Sequence, residues 1–154
     1  MNPTPRVSAA IPYLHVADVR RSVAFYELLG MPCDGNTFEH AGVTMWASVG
    51  REPARVMLAR ASAPVKPEQQ AAMLYLYTPD VAALRAHLLA HDVADAPYDD
   101  ETPARRSEHW RALERGVAHP GGLVSQVQKR FYMPEGEIRI ADPDGYILLI
   151  GQST

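Results

Sequence analysis

The sequence predicts an α+β protein made of two β-α-β-β-β units joined by a short linker. Three observations lead there. Near the C-terminus, Gly136–Gly151 (GEIRIADPDGYILLIG) reads as strand, tight turn, strand. Ile138 and Ile140 alternate with Arg139, the two-residue period of a half-buried strand. Asp142-Pro143-Asp144-Gly145 then breaks the chain: Pro143 fixes φ, Asp144 is able to bond its own backbone, and Gly145 tolerates positive φ. The second observation is a faint internal repeat. Laid 62 residues apart, Leu14 meets Leu76, Asp18 meets Asp80, Val19 meets Val81 and Ala24 meets Ala86. The third is that a two-stranded hairpin is not stable alone, so the rest of the chain must supply its partner strands.

Composition narrows the function classes. The 154 residues are 47% hydrophobic and 21% charged, enough for one domain or for two small modules sharing a core. The net charge is −3 and the basic residues are scattered, which argues against a nucleic-acid face. Cys33 is the only cysteine, so an intrachain disulfide and a thiolate metal cage are excluded; its type predicts a small buried apolar residue. Pro3, Pro5 and Pro12 interrupt the N-terminal stretch, and no apolar run approaches the ~20 residues of a membrane span. A cytoplasmic protein without a membrane or nucleic-acid partner is expected.

The elements follow in order. Ile11–Val16 reads as a strand. Asp18 is a good N-cap for a helix over Val19–Leu29, with Val19, Val23, Tyr26 and Leu29 on its apolar stripe. Gly30 ends that helix. Met31–His40 is a weak strand, Val43–Val49 a clearer one, and Arg55–Arg60 another. Ser62–Gln70, with two prolines, reads as a linker. The pattern then restarts with a strand at Ala72–Thr78 and a helix at Val81–His91 carrying Val81, Leu84 and Leu88 on its apolar face. A strand at Val93–Tyr98 and the C-terminal hairpin complete the second unit. The expected organisation is a first module at 1–61, a linker at 62–70, and a second module at 71–154 with an insertion at about 99–135. Within the insertion, Ser107–Arg115 reads as a short capped helix and Leu123–Tyr132 fits either strand or loop. Trp110, Phe131 and Tyr132 give it apolar anchors.

LHVADVRRSVAFYELLGM resembles the first signature of the vicinal oxygen chelate superfamily, the glyoxalase, bleomycin-resistance and extradiol-dioxygenase group. GEIRIADPDGYILLIGQ resembles its C-terminal signature. The likeness spans nearly the whole chain outside the insertion. It implies an eight-stranded, incompletely closed barrel with helices outside and a pocket within, and it implies a homodimer. Metal-dependent members carry their first ligand seven residues before the Asp that starts the first helix. That position is Ile11 here, its counterpart before Asp80 is Met73, and the C-terminal Glu position, four residues after the turn glycine, is Leu149. The remaining ligand position falls near Met57–Ala59. Divalent metals in such sites need imidazole or carboxylate donors, which Ile, Met and Leu do not have. The resemblance is therefore greatest to the metal-free bleomycin-resistance branch, in which members hold a drug between subunits.

Strand alternation supplies the expected pocket. With Ile11 inward, Tyr13 and His15 follow; with Met73 inward, Tyr75 and Tyr77 follow; Ile147, Leu149 and Arg139 join from the hairpin. Trp46 fits either core or pocket wall. The tyrosines fit two roles, filling a small barrel or lining a ligand cavity. No Asp, Ser or Cys partner is assigned to His15, so no catalytic residue is named. His87 and His91 stand four apart on a helix but have no evident third ligand; a helix flank and a helix-end charge are the simpler roles. Trp110 fits a lid or a packing anchor, and Arg105 and Arg106 fit a solvated face. The sequence thus predicts a metal-independent small-molecule-binding protein without a cofactor, its ligand site formed by Tyr13, His15, Trp46, Tyr75, Tyr77, Arg139 and Leu149. The alternative is a lyase or isomerase of the same fold, with a displaced metal site or with His15 or a Tyr as acid/base.

Overall fold

The computed structural model describes residues 6–96 and 108–153, except for the side chain of His109. The first half runs β1 (Tyr13–Val16), α1 (Val19–Leu28), β2 (Cys33–His40), β3 (Val43–Arg51) and β4 (Ala54–Arg60). A 3-10 turn, η1 (Pro67–Gln69), lies in the linker. The second half runs β5 (Met73–Thr78), α2 (Val81–Leu89), β6 (Ala94–Asp95), α3 (Glu108–Glu114), β7 (Leu123–Val124), β8 (Gln128–Arg130), β9 (Met133–Ala141) and β10 (Ile147–Gln152). No described helix is long and apolar enough to cross a membrane.

The repeat is visible in local geometry. Asp18 and Asp80 both sit in extended backbone as N-caps; Asp18 accepts from Arg21 N at 3.1 Å and Asp80 from Ala83 N at 2.9 Å. Val19 and Val81, the residues after the caps, are both buried. It is visible in topology too. The first sheet has the order β1-β4-β3-β2 and the second follows β5-β10-β9-β7-β6, with β8 also on β9. In each, the first strand pairs in parallel with the last, and the others on the shared path pair antiparallel. The fold is α+β, with two sheets that do not close into a continuous barrel.

The second sheet differs from the expectation at one place. Val93–Tyr98 supplies only Ala94–Asp95 among the described residues, and this short strand lies at the edge, parallel to β7. The counterpart of β2 beside β9 is built from β7 and β8, residues of the predicted insertion. Arg105, Arg106 and the Ser107 cap lie outside the described residues. Ile11 precedes β1 rather than opening it. Cys33 is half-buried, not fully buried.

One core serves both halves. Leu14, Val16, Val49, Val56 and Leu58 from the first sheet cluster with Ile138, Ile140, Leu148 and Ile150 from the second, together with Phe25 and Tyr26 of α1 and Leu88 of α2. Each fully buried aliphatic side chain contributes roughly 1.5–3 kcal/mol relative to exposure. A smaller cluster lies on the other side of the second sheet, where Trp110 and Leu113 of α3 pack on Leu123, Ala141 and Ala96.

The Asp-Pro-Asp-Gly turn joins the halves. Asp142 Oδ1 accepts from the amides of Asp144 at 3.0 Å and Tyr146 at 2.9 Å, and its Oδ2 accepts from the Tyr26 hydroxyl at 3.1 Å. The expected local bond from Asp144 is not made. Its Oδ1 accepts from Ala17 N at 2.8 Å and Arg21 Nη2 at 3.2 Å, and its Oδ2 from Ser22 Oγ at 3.2 Å. The Tyr146 hydroxyl donates to the carbonyl of His15 at 3.0 Å. Both carboxylates are 1% exposed. Gly145 has φ +88°, and a Cβ there would stand 2.6 Å from Pro67 Cβ, so the turn needs glycine for backbone and for space.

Candidate functional site: the open faces of two sheets

Each sheet buries one face in the shared core, and alternation puts the other residues on the opposite face. On β1, Leu14 and Val16 are buried while Tyr13 and His15 are exposed. The register extends this across the sheet. His15 pairs with Ala59, which pairs with Trp46, which pairs with Phe38; Tyr13 pairs with Met57, which pairs with Ser48. The Tyr13 and His15 rings meet edge-on with centroids 5.5 Å apart. Tyr13, His15 and Trp46 therefore share one open face.

The second sheet repeats the arrangement. Tyr75 pairs with Leu149, which pairs with Arg139; Tyr77 pairs with Gly151, which pairs with Glu137; Met73 pairs with Ile147, which pairs with Ala141. Tyr75 and Tyr77 are 40% and 66% exposed, with ring centroids 5.3 Å apart. The seven sequence-predicted residues thus divide between two faces of one chain. His15 lines a recess of about 540 Å³ with the linker and Tyr146. Arg139 lines one of about 360 Å³ with Trp110, Leu113 and Glu68. Ile11, Met73 and Tyr75 border one of about 260 Å³, and Tyr77 one of about 220 Å³.

The positions at which a metal-dependent relative would carry ligands are apolar in place as well as in sequence. Ile11 and Met73 share a recess, and Leu149 sits between Tyr75 and Arg139. These side chains do not fit a divalent cation. Among the described residues no three His, Cys, Asp or Glu side chains come together. His87 and His91 lie on the outside of α2, with ring centroids 4.3 Å apart and the His91 Nδ1 2.8 Å from the His87 carbonyl.

Trp110 is a packing anchor. It is buried, and its Nε1 donates to the Ala96 carbonyl at 2.6 Å. Through it, α3 covers the Ala141–Ile147 end of the second open face and leaves the Glu137–Gly151 end free of that helix.

Glu137, Tyr132 and Met133 add to this face and were not among the sequence candidates. Glu137 is only 6% exposed. Its Oε2 accepts from the Tyr75 hydroxyl at 3.1 Å and its Oε1 from the Tyr132 hydroxyl at 2.9 Å. Arg130 Nε stands 3.9 Å from Oε1, an ion-pair distance too long for a hydrogen bond. Burial of the phenol end, then the bond to Glu137, pushes the Tyr75 pKa up to about 12. The bond to Glu137, then burial, raises that of Tyr132. Both phenols keep their protons at neutral pH. Gly151 leaves the room: a Cβ there would stand 2.5 Å from Met133 Cε and 3.1 Å from the Tyr75 hydroxyl oxygen. The missed signal was parity, because Glu137 is two residues from Arg139 and opposite in phase to Ile138 and Ile140.

The model of the Glyoxalase/Bleomycin resistance protein/Dioxygenase superfamily matches residues 9–150. The chain belongs to that superfamily. Its fold is similar to that of a bleomycin-binding protein from bleomycin-producing Streptomyces verticillus complexed with copper(II)-bleomycin. The TM-score is 0.61, at 18% identity, over 98% of this chain and 100% of that one. It is also similar to a bleomycin resistance determinant encoded on the transposon Tn5. There the TM-score is 0.61, at 17% identity, over 96% and 98% of the two chains. TnmS3, an antibiotic binding protein from Streptomyces sp. CB03234, superposes with a TM-score of 0.52 at 18% identity, over 97% of this chain and 100% of its own. No curated protein sequence matches the chain. At these identities the likeness to solved structures is one of fold within the superfamily.

Proposed function

We propose that this superfamily member is a small-molecule-binding protein of the bleomycin-resistance type. It sequesters a partly aromatic or cationic compound stoichiometrically, in the cytoplasm, and needs no metal to do so. The observation that carries the reading is the pair of aromatic sheet faces left open beside apolar side chains at Ile11, Met73 and Leu149. Large aromatic surface with a few placed polar groups is what a small-molecule site requires. Two open faces per chain also suit a homodimer, in which the ligand lies in a cleft between copies. Tyr13, His15 and Trp46 supply one wall, and Tyr75, Tyr77, Leu149 and Arg139 supply the other.

The test is calorimetric titration of purified protein with metal-free bleomycin and a panel of aromatic amines, alongside light scattering for mass. The expected result is one-to-one binding per chain, unchanged by a chelator, from a species of twice the chain mass. One tightly bound divalent ion per chain, lost on changing His15, would overturn the metal-independent reading.

A further inference from the structure

We infer that the Glu137–Tyr75–Tyr132 cluster on the second open face is a subsite for the protonated amine of the ligand. The inference deepens the binding reading and rests on it. Its basis is the direction of the hydrogen bonds. Each phenol has one proton, and both protons are committed to Glu137. What Tyr75 and Tyr132 retain for any further partner is acceptor lone pairs alone. Donating to a carboxylate also polarises a hydroxyl and makes its oxygen a better acceptor. The cluster therefore selects a hydrogen-bond donor and has none of its own to give an acceptor.

The surroundings add to this selection. Tyr75, Tyr77 and Tyr132 are all 40% exposed or more, and aromatic faces attract cations. The Glu137 side chain lies beneath them, within hydrogen-bond distance of the Tyr75 and Tyr132 hydroxyls. Two guanidiniums lie near, Arg130 and Arg139, and both act to lower the Tyr132 pKa. The Tyr132 hydroxyl lies 2.9 Å from Glu137 Oε1, whereas Arg130 Nε stands 3.9 Å from that same oxygen. Gly151 and the Met133 side chain that lies over it keep the Tyr75 hydroxyl close against the sheet. The subsite is thus built from three strands, β5, β9 and β10, and from the β8–β9 turn that carries Tyr132.

A matched pair of probes tests the subsite: 4-phenylbutylamine, protonated at pH 7, and 4-phenylbutan-1-ol, its neutral counterpart. The amine is expected to bind the full chain roughly ten- to hundredfold more tightly than the alcohol. Tyr132→Phe keeps the ring and removes the oxygen; it should reduce amine affinity about tenfold and alcohol affinity much less. Glu137→Gln should bring the two affinities close together. Tyr132 is half-exposed, so its variant reports even where Glu137→Gln folds poorly. Equal binding of both probes to the unmodified chain would remove the amine subsite and leave the cleft standing. A preference unchanged in Tyr132→Phe would also overturn it. Binding of neither probe would overturn the binding reading and this inference with it.

Discussion

The β9–β10 hairpin buries carboxylates at both of its ends, and the two ends are solved differently. At the turn, Asp142 and Asp144 take their donors from backbone amides, from Ser22 and Tyr26 of α1, and from Arg21. At the far end, Glu137 takes its donors from Tyr75 and Tyr132, side chains that are themselves half-exposed. The first arrangement is closed, because its hydroxyl donors Ser22 and Tyr26 are fully buried and most of its other donors are backbone amides. The second is open, because its donors face outward with acceptor capacity left over. Burial of a charge therefore does not by itself mark a site. The origin of the groups that satisfy it separates a structural joint from a binding surface.

Removing the turn carboxylate should break this contrast most visibly. Asp142→Ala leaves two amides and the Tyr26 hydroxyl without their partner, and a loss of roughly 3–5 kcal/mol in denaturant unfolding is expected. Amine-probe affinity of the folded fraction should not change; a fall in affinity at near-normal stability would show that the two ends are not separate. A pH series sharpens the same point. Burial pushes the Asp142 pKa up to about 7, so the folded chain retains a proton that the unfolded chain releases near pH 4. This contribution is fully present below about pH 4 and is lost as pH rises to about 7, with a slope of at most ~1.4 kcal/mol per pH unit. Asp142→Asn should flatten that slope in thermal or denaturant unfolding. On the open faces the balance reverses. Tyr75→Ala and Tyr13→Ala should each weaken bleomycin or amine binding more than folding, with stability losses of about 1 kcal/mol; equal losses of both would make the tyrosines packing residues. Tyr132→Phe removes one donor from the buried Glu137 side chain and should cost roughly 1 kcal/mol in stability, far less than Asp142→Ala.

Much of the fold was legible because it is written locally and twice. The Asp18 and Asp80 caps and the Val19 and Val81 positions need no knowledge of distant contacts, and the alternation of Leu14, Val16, Ile138 and Ile140 names the core face directly. The partner of β9 was not legible for a physical reason. Leu123 and Val124 are adjacent and both buried, one under α3 and one toward the main core, so the two-residue period that identifies a strand is absent. Turn chemistry permits Asp144 to bond its own backbone, but its partners lie 122–127 residues away. At the candidate site, alternation groups Tyr13 with His15 and Tyr75 with Tyr77 but reads them as facing into a barrel, whereas all four lie on open faces. It did not reveal that these occupy two different sheets, since sheet membership is a long-range property. Glu137 was readable by parity with Arg139. Its pairing with two tyrosines depends on Gly151 and on the path of the β8–β9 turn, and sequence spacing carries neither.

The joint at the turn also orders the chain in time. Ala17 N–H, Ser22 and Tyr26 are made early in synthesis, and their acceptors, Asp144 and Asp142, are made 116–127 residues later. During translation the first βαβββ unit must wait with buried-type donors unmet and with half of its shared core missing. A ribosome-bound chain stalled before Asp142 should be open to protease across β1 and α1. One extended past β10 should be resistant there. The β9–β10 hairpin, made after both helices it ties together, is thus the element that completes α1.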